Sequence, residues 1–454
     1  MTEPFDGMAE AERRISEEAT RRTGLLDLRN LGLTALPETL FSLTHLRALD
    51  LGADPGWQKS HRPNRVTVGA RRLAALTLLE SLDLGWTDLT DLAPIGGLAK
   101  LQSLDCTYTE VADLAPLGDL ANLQSLYCWN TRVTNLAPLG GLANLESLYC
   151  WNTSIADLAP IGGLANLQIL DCSDTRVADL SPLGSLANLQ GLNCSSTRVV
   201  DLTPLGSLTS LQGINCANTR VADLSPLGGL ANLQSLNCSD TWVADLSTLA
   251  LLHQLRALRA RNCKVETLPS SLGGLVSLRA LDLRDNGIRR LPRELGALTG
   301  LADALDDAAR SEDGLHLDGN PLEHPLPRLI APGQPEATRN VLTWLRGDPL
   351  GQEDAEAAPL PDPGADAPAE PPGLPAPGAG LHVVLGDDGA IAFAPPADLD
   401  SEGNNLRRLR SLHSELQDLA AALCTALDAG NRPYATQSWL GFSLQRFGSD
   451  EWMA

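Results

Sequence analysis

The sequence predicts an α/β fold: a curved solenoid with a parallel sheet on its concave face, then a small α+β module beyond an acidic segment. Three observations predict it. Residues 79 to 254 print a 22-residue unit eight times. Each unit holds a short alternation such as Leu126-Tyr127-Cys128, the pattern of a strand with one inward face. One unit alone cannot bury that face, whereas stacked units make a continuous core.

Along the chain, residues 1 to 24 read as a polar N-terminal capping helix. They contain no apolar run of the kind a secretory signal needs. Residues 25 to 78 are irregular repeats. The stretch "ADPGWQKSHRPNRVTVGARR" (53 to 72) lengthens one of them with a basic insert, a lip for a partner. The eight regular copies begin at Leu79, Leu101, Leu123, Leu145, Leu167, Leu189, Leu211 and Leu233. Cysteine fills the sixth slot from Cys106 to Cys238, seven times, and Leu84 holds that slot in the first copy. The ninth-slot threonine (Thr131, Thr153, Thr175) is expected where the chain leaves the strand, its hydroxyl satisfying an unpaired backbone group. Val133 and its equivalents return to the core. Asp-Leu-x-Pro then opens the convex side, where Pro94, Pro116, Pro138 and their successors suit the start of a short helical turn.

Residues 255 to 348 change to 23-residue units and a C-terminal cap. Strands counted from Leu26 to Leu317 number thirteen; at ~5 Å each the concave face runs about 60 Å. Residues 349 to 380 hold nine prolines among Ala, Gly, Asp and Glu, and from Gly347 to Leu406 there are twelve acidic residues and no Lys or Arg. Such a segment buries too little to fold and reads as a linker. Residues 381 to 454 read as a small hairpin-helix module. Its hairpin turns at Gly386-Asp387-Asp388-Gly389, and an amphipathic helix carries Leu406, Leu409, Leu412, Leu416, Leu419, Leu423 and Leu427 on one stripe.

The central unit, L-x-x-L-x-C-x-x-T-x-V-x-D-L-x-P-L-x-x-L-x-x, is that of a leucine-rich repeat. Its "V-x-D-L-x-P-L-x-x-L-x-N-L" form resembles the repeats of the internalin family, over residues 79 to 254. The resemblance implies a concave face that grips another protein. This chain departs from the pattern at two slots, with Thr for the usual Asn and Cys for the usual Leu. It shows neither the secretion signal nor the cell-wall anchor of that family, so the family's location is not carried over. In the flanks, "LHLDGNPLEHPLPRLIAPGQPEATRNVLTWLRGD" (315 to 348) resembles the segment closing the repeats of bacterial Roco proteins. No GTPase follows it, and that activity is not carried over.

Composition excludes several classes. A net charge of −22 disfavours nucleic acid and acidic membrane surfaces as partners. No stretch reaches the roughly 20 apolar residues of a membrane span. The three lysines lie outside any Gly-Lys-Ser/Thr context, which removes a P-loop. The seven histidines form no zinc spacing. "DLDSEGNN" (398 to 405) imitates half a calcium loop, but the place of the bidentate glutamate falls on Leu409. The ladder cysteines point inward, where Cys acts as a small hydrophobe rather than a redox or metal site. Cys424 has no His or Asp partner at a recognisable spacing. No cofactor, metal or catalytic residue is assigned, and the chain is read as a non-enzyme.

The remaining signal is aromatic. Third, fifth and seventh residues of each unit point away from the core. Tyr127 and Tyr149 hold the fifth slot and Trp129 and Trp151 the seventh, while Trp86 and Tyr108 hold the eighth slot of the two preceding copies. Clustered exposed rings are typical of binding hot spots. Two other accounts compete: recent duplication of one repeat, and stacking that merely stabilises the sheet. Arg132, Arg176, Arg198 and Arg220 share the tenth slot as a basic row, with pairing to Asp174 or Asp179 as the structural alternative. These ten residues are the predicted partner site. The reading is non-catalytic protein recognition by a cytoplasmic bacterial adaptor or scaffold, the bacterial origin resting on the Arg-, Ala- and Pro-rich composition. Self-association is expected through the C-terminal helix. The alternatives are an effector or enzyme whose activity lies in residues 381 to 454, and an effector delivered without a classical signal.

Overall fold

The computed structural model describes residues 5–53, 62–303, 314–330 and 337–347, together with the backbone of five short strands after residue 381. Thirteen strands form one parallel sheet in strict chain order. They are β1 Leu25–Asp27, β2 Ala48–Asp50, β3 Ser81–Asp83, β4 Ser103–Asp105, β5 Ser125–Tyr127, β6 Ser147–Tyr149, β7 Ile169–Asp171, β8 Gly191–Asn193, β9 Gly213–Asn215, β10 Ser235–Asn237, β11 Ala257–Arg259, β12 Ala280–Asp282 and β13 Gly314–His316. Register follows the repeat: Ser125 pairs with Ser147 and Tyr127 with Tyr149. Equal slots of neighbouring repeats therefore face each other, so a residue type that recurs every 22 positions becomes a row across the sheet.

Each slot has a physical task. Leucines of the first, fourth, fourteenth, seventeenth and twentieth slots are buried, and so is every ladder cysteine. The ninth-slot hydroxyl turns the chain off the strand, as expected: Thr131 donates to the Cys128 carbonyl and Thr109 to that of Cys106, both at 2.6 Å. In the flanking units an asparagine replaces it. Asn286 donates to the carbonyls of Ala260 and Leu283 and accepts from Cys263 and Val265. The thirteenth-slot carboxylate caps the convex turn. Asp157 accepts the N–H of Ala159, and Asp179 that of Ser181, at 2.8 Å each. A 3-10 turn follows with proline near its start, as in Ala137–Gly141. Convex asparagines tie repeat to repeat: Asn144 donates to the Ala121 carbonyl and Asn166 to that of Ala143.

Both ends are closed. The helix Gly7–Arg21 is capped by Asp6, which accepts from Met8 and Ala9, and it buries Ala11, Ile15 and Glu18. Burial pushes the Glu18 carboxyl up, but hydrogen bonds from the Thr23 hydroxyl, the Gly24 N–H and His45 outweigh it and hold it below the usual range. At the other end the helix Ala337–Arg346 buries Thr338, Val341, Leu342 and Leu345. The Thr338 hydroxyl accepts the Leu315 N–H of β13 at 3.0 Å.

The chain divides into two compact units, residues 1–359 and 360–454. In the second, His382–Leu385 pairs antiparallel with Ile391–Ala394, and Phe442–Arg446 pairs with both Gln437–Trp439 and Trp452–Met453. The linker of residues 349 to 380, the calcium-like stretch and the leucine-striped helix with Cys424 lie outside the described residues.

Candidate functional site

The six aromatic residues gather on four adjacent repeats and touch ring to ring. Tyr127 and Tyr149 stack with centroids 4.8 Å apart and planes at 6°. Trp129 and Trp151 stack at 4.3 Å and 11°. Tyr108 meets Trp129 edge-on at 4.8 Å and 82°, and Trp86 stacks on Tyr108 at 3.5 Å and 18°. The result is a ladder, Trp86–Tyr108–Trp129–Trp151, with the tyrosine pair beside it. Stacking covers one face of most rings, so all six are half-buried rather than fully exposed. Burial pushes the Tyr108 and Tyr149 phenols up.

Trp86 and Tyr108 reach the ladder at a conformational cost. Their slot is left-handed in every regular repeat, with φ of 58° at Trp86 and 50° at Tyr108. Asn130, Asn152, Asp174, Ser196, Asn218, Asp240 and Asn262 fill it elsewhere. Short polar side chains tolerate that region, whereas a bulky ring there costs about 1–3 kcal/mol. Slot seven in those two repeats is Gly85 or Thr107, so the ring has moved one residue along.

Two features beside the ladder were missed from the sequence. On its N-terminal side the fifth slots of β1 to β4 are Asp27, Asp50, Asp83 and Asp105, four carboxylates in register. The spacing was legible, but its electrostatic consequence needs burial. On its C-terminal side lies a shallow trough of about 330 Å³, lined by Tyr149, Ile169, Gly191, Gly213, Asn215 and Asn237, among others. A Cβ on Gly191 or Gly213 would meet nothing within 4 Å, so these glycines leave open space. Trp242, at the tenth slot after Arg220, is 58% exposed and was also missed.

The arginine row lies at the strand exits and is exposed throughout. Arg132 pairs with Glu110 of the preceding repeat. Among the described residues no carboxylate pairs with Arg176, Arg198 or Arg220, and Asp179 spends an oxygen on the Ser181 N–H instead. The pairing with Asp174 or Asp179 is therefore not formed.

Among the described residues no group of His, Cys, Asp and Glu is placed to hold a metal ion. Nor is any helix long and apolar enough to cross a membrane.

Comparison with known proteins agrees with this geometry. The family model for leucine-rich repeats (two copies) matches residues 121–163, 165–207 and 209–251. No curated protein sequence matches the chain significantly. Among solved structures, an internalin (InlF) from Listeria monocytogenes is similar at a TM-score of 0.61 and 24% identity, covering 70% of this chain and 91% of that one. The functional domain of InlJ from the same organism, described as including a cysteine ladder, is similar at 0.53 and 22%, covering 70% of each. The plant peptide hormone receptor RGFR1, in complex with RGF2, is similar at 0.52 and 20%, covering 64% of this chain and 46% of the receptor. At these identities the likeness is one of fold. Family model, sheet order and buried cysteine rows converge on one statement: the thirteen-stranded unit folds as a leucine-rich-repeat solenoid similar to that of the internalins.

Proposed function

We propose that this protein is a non-catalytic recognition module that holds a protein partner on its concave face, as an adaptor or scaffold in a bacterial cytoplasm. The observation that carries the reading is the ladder Trp86–Tyr108–Trp129–Trp151 with the Tyr127–Tyr149 pair. Six large rings clustered on one face give rigid apolar area at little entropic cost. Two of them sit in a backbone conformation that Asn or Asp would fill without strain, which sheet stability alone does not reward. The complex of the plant receptor with its peptide hormone supports the same use of the fold.

The test separates recognition from stacking. Trp129→Ala with Trp151→Ala removes the central anchors. Capture of the partner from the native cell is expected to fall by about 2 kcal/mol or more in affinity. The unfolding midpoint should move little, since a ring pair adds only about 0.5–1.5 kcal/mol beyond its buried area. A double variant that unfolds much more easily and still captures the partner would make the rings structural.

A further inference from the structure

From Glu110 to Lys264 the tenth slot is held by one backbone bond to the preceding repeat, whatever its side chain. The N–H of Arg176 donates to the Ile155 carbonyl at 2.8 Å, that of Arg198 to Val177 at 2.8 Å and that of Arg220 to Val199 at 3.1 Å. Glu110 makes the same bond to Leu89 at 3.1 Å, and Ser154 to Val133 at 3.2 Å. Acid, hydroxyl and base serve the fold equally at this slot. An arginine in each of these successive repeats is something the backbone does not need.

The row is also costly. Its members stand one repeat apart, ~5 Å, so their charges repel. Arg132 is relieved by Glu110. Arg176, Arg198 and Arg220 are exposed, and among the described residues nothing pairs with their guanidinium groups. The carboxylates three positions further on are engaged at the convex turns: Asp179 accepts the N–H of Ser181, Asp201 that of Thr203 and Asp223 that of Ser225. A second observation is independent of charge. Trp242 takes the next tenth slot, its N–H on the Val221 carbonyl at 2.9 Å, and it is 58% exposed. Trp129 and Trp151 cover each other and Trp344 packs on the core, whereas among the described residues no ring touches Trp242. Val200, two residues after Arg198 with Val199 buried between them, is 56% exposed. Free arginines in line with an uncovered tryptophan are the residue types that carry most binding energy at protein interfaces.

We propose that the row Arg176–Arg198–Arg220–Trp242 docks an extended acidic segment of a partner protein, with its carboxylates on the guanidinium groups and an apolar residue at its end against Trp242. The planar guanidinium head forks onto a carboxylate. The chain's net charge of −22 does not forbid this, because at physiological salt a field fades within ~8 Å and a segment in contact feels the arginines first. The surface concerns residues outside the ring ladder, so its failure would leave the concave-face reading standing.

The experiment uses the full chain and labelled peptides of one Gly/Ser backbone ending in Leu, with Glu, Gln or Arg at alternate positions. Binding is read by fluorescence anisotropy at physiological salt. The Glu peptide is expected to bind about ten-fold more tightly than the Gln peptide, as several modest exposed pairs allow, and the Arg peptide not at all. Arg176→Gln with Arg198→Gln and Arg220→Gln should remove that preference. Arg198→Gln alone should reduce it, and serves where the triple variant does not fold. Trp242→Ser should weaken the Glu peptide about five-fold and keep its lead over the Gln peptide. Arg21→Gln with Arg71→Gln and Arg279→Gln removes the same charge from exposed positions elsewhere and should leave binding unchanged. The proposal is overturned if both triple variants lose binding alike, for then only net charge is felt. It is also overturned if no peptide binds, or if the Gln peptide matches the Glu peptide. Tighter binding of a single-stranded oligonucleotide of equal charge would overturn it too, making the row a phosphate site.

Discussion

Cys106, Cys128, Cys150, Cys172, Cys194, Cys216 and Cys238 are free thiols with no exposed surface. Burial pushes the ionisation of the first six well above the usual range, and at Cys238 the hydrogen bond with Cys263 does so first and burial second. Cys263 differs. It takes the ninth slot, where the regular repeats carry Thr, and it is 5% exposed. Hydrogen bonds with the Cys238 thiol and the Thr241 hydroxyl hold it down to about 7. Because the thiolate is the reactive form, a thiol reagent added to the native protein should label Cys263 first and the seven ladder positions only on unfolding. Mass-spectrometric mapping of the label checks this, and fast native labelling of Cys128 or Cys150 would refute the inward alternation. Asp83 offers a second residue-level prediction. Its folded ionisation at about 7 lies above the ordinary 3.8, so the folded state binds the extra proton between those values. Stability is then greatest below about 4, falls as pH rises through that window, and is level above it. The carboxylates of Asp50 and Asp105 deepen the effect and Arg29 opposes it. Asp83→Asn should raise the unfolding midpoint above pH ~7 and leave it unchanged near pH 4; equal midpoints at both values would remove the electrostatic cost argued for this row.

Strands of three residues are too short to stand alone, and their neighbours support them on both sides. An end repeat lacks one neighbour, so the terminal helices matter beyond their length. The helix Ala337–Arg346 covers the last repeat with Val341, Leu342 and Leu345. A chain ending at Gly347 is expected to keep the cooperative unfolding and midpoint of the repeats, because it retains the whole of the closing helix Ala337–Arg346. A chain ending before Ala337 loses three buried aliphatic side chains and should lose several kcal/mol at ~1.5–3 kcal/mol each. Denaturant unfolding of the two truncations decides the matter. Loss of cooperativity already at Gly347 would give the later residues a part in the solenoid's stability.

On the scale of the whole sheet the fifth slots run from acidic in β1 to β4 through aromatic in β5 and β6 to asparagine in β8 to β10, with an arginine row at the strand exits. The repeat made much of this legible. Because each unit packs only on its neighbours, a period in sequence becomes a period in space, and strand order, register, buried cysteines and ninth-slot threonines follow from 22-residue spacing alone. The ten predicted partner residues were located by the same rule, but their surroundings were not. Whether Tyr108 meets Trp129 edge-on, whether Arg132 finds Glu110 rather than an aspartate, and whether rings stand free or cover each other are set by rotamers and by distances between slots of adjacent repeats. A one-dimensional pattern carries no such distances. The cost of Asp83 is likewise invisible in sequence, where it reads as one more strand aspartate. Only the fold removes its water and aligns it with Asp50 and Asp105. Sequence by itself determined the solenoid, since local spacing dictates which faces must be buried. Tertiary structure decided the chemistry of the surface, since ionisation and ring contacts depend on what the neighbouring repeat brings within a few ångströms.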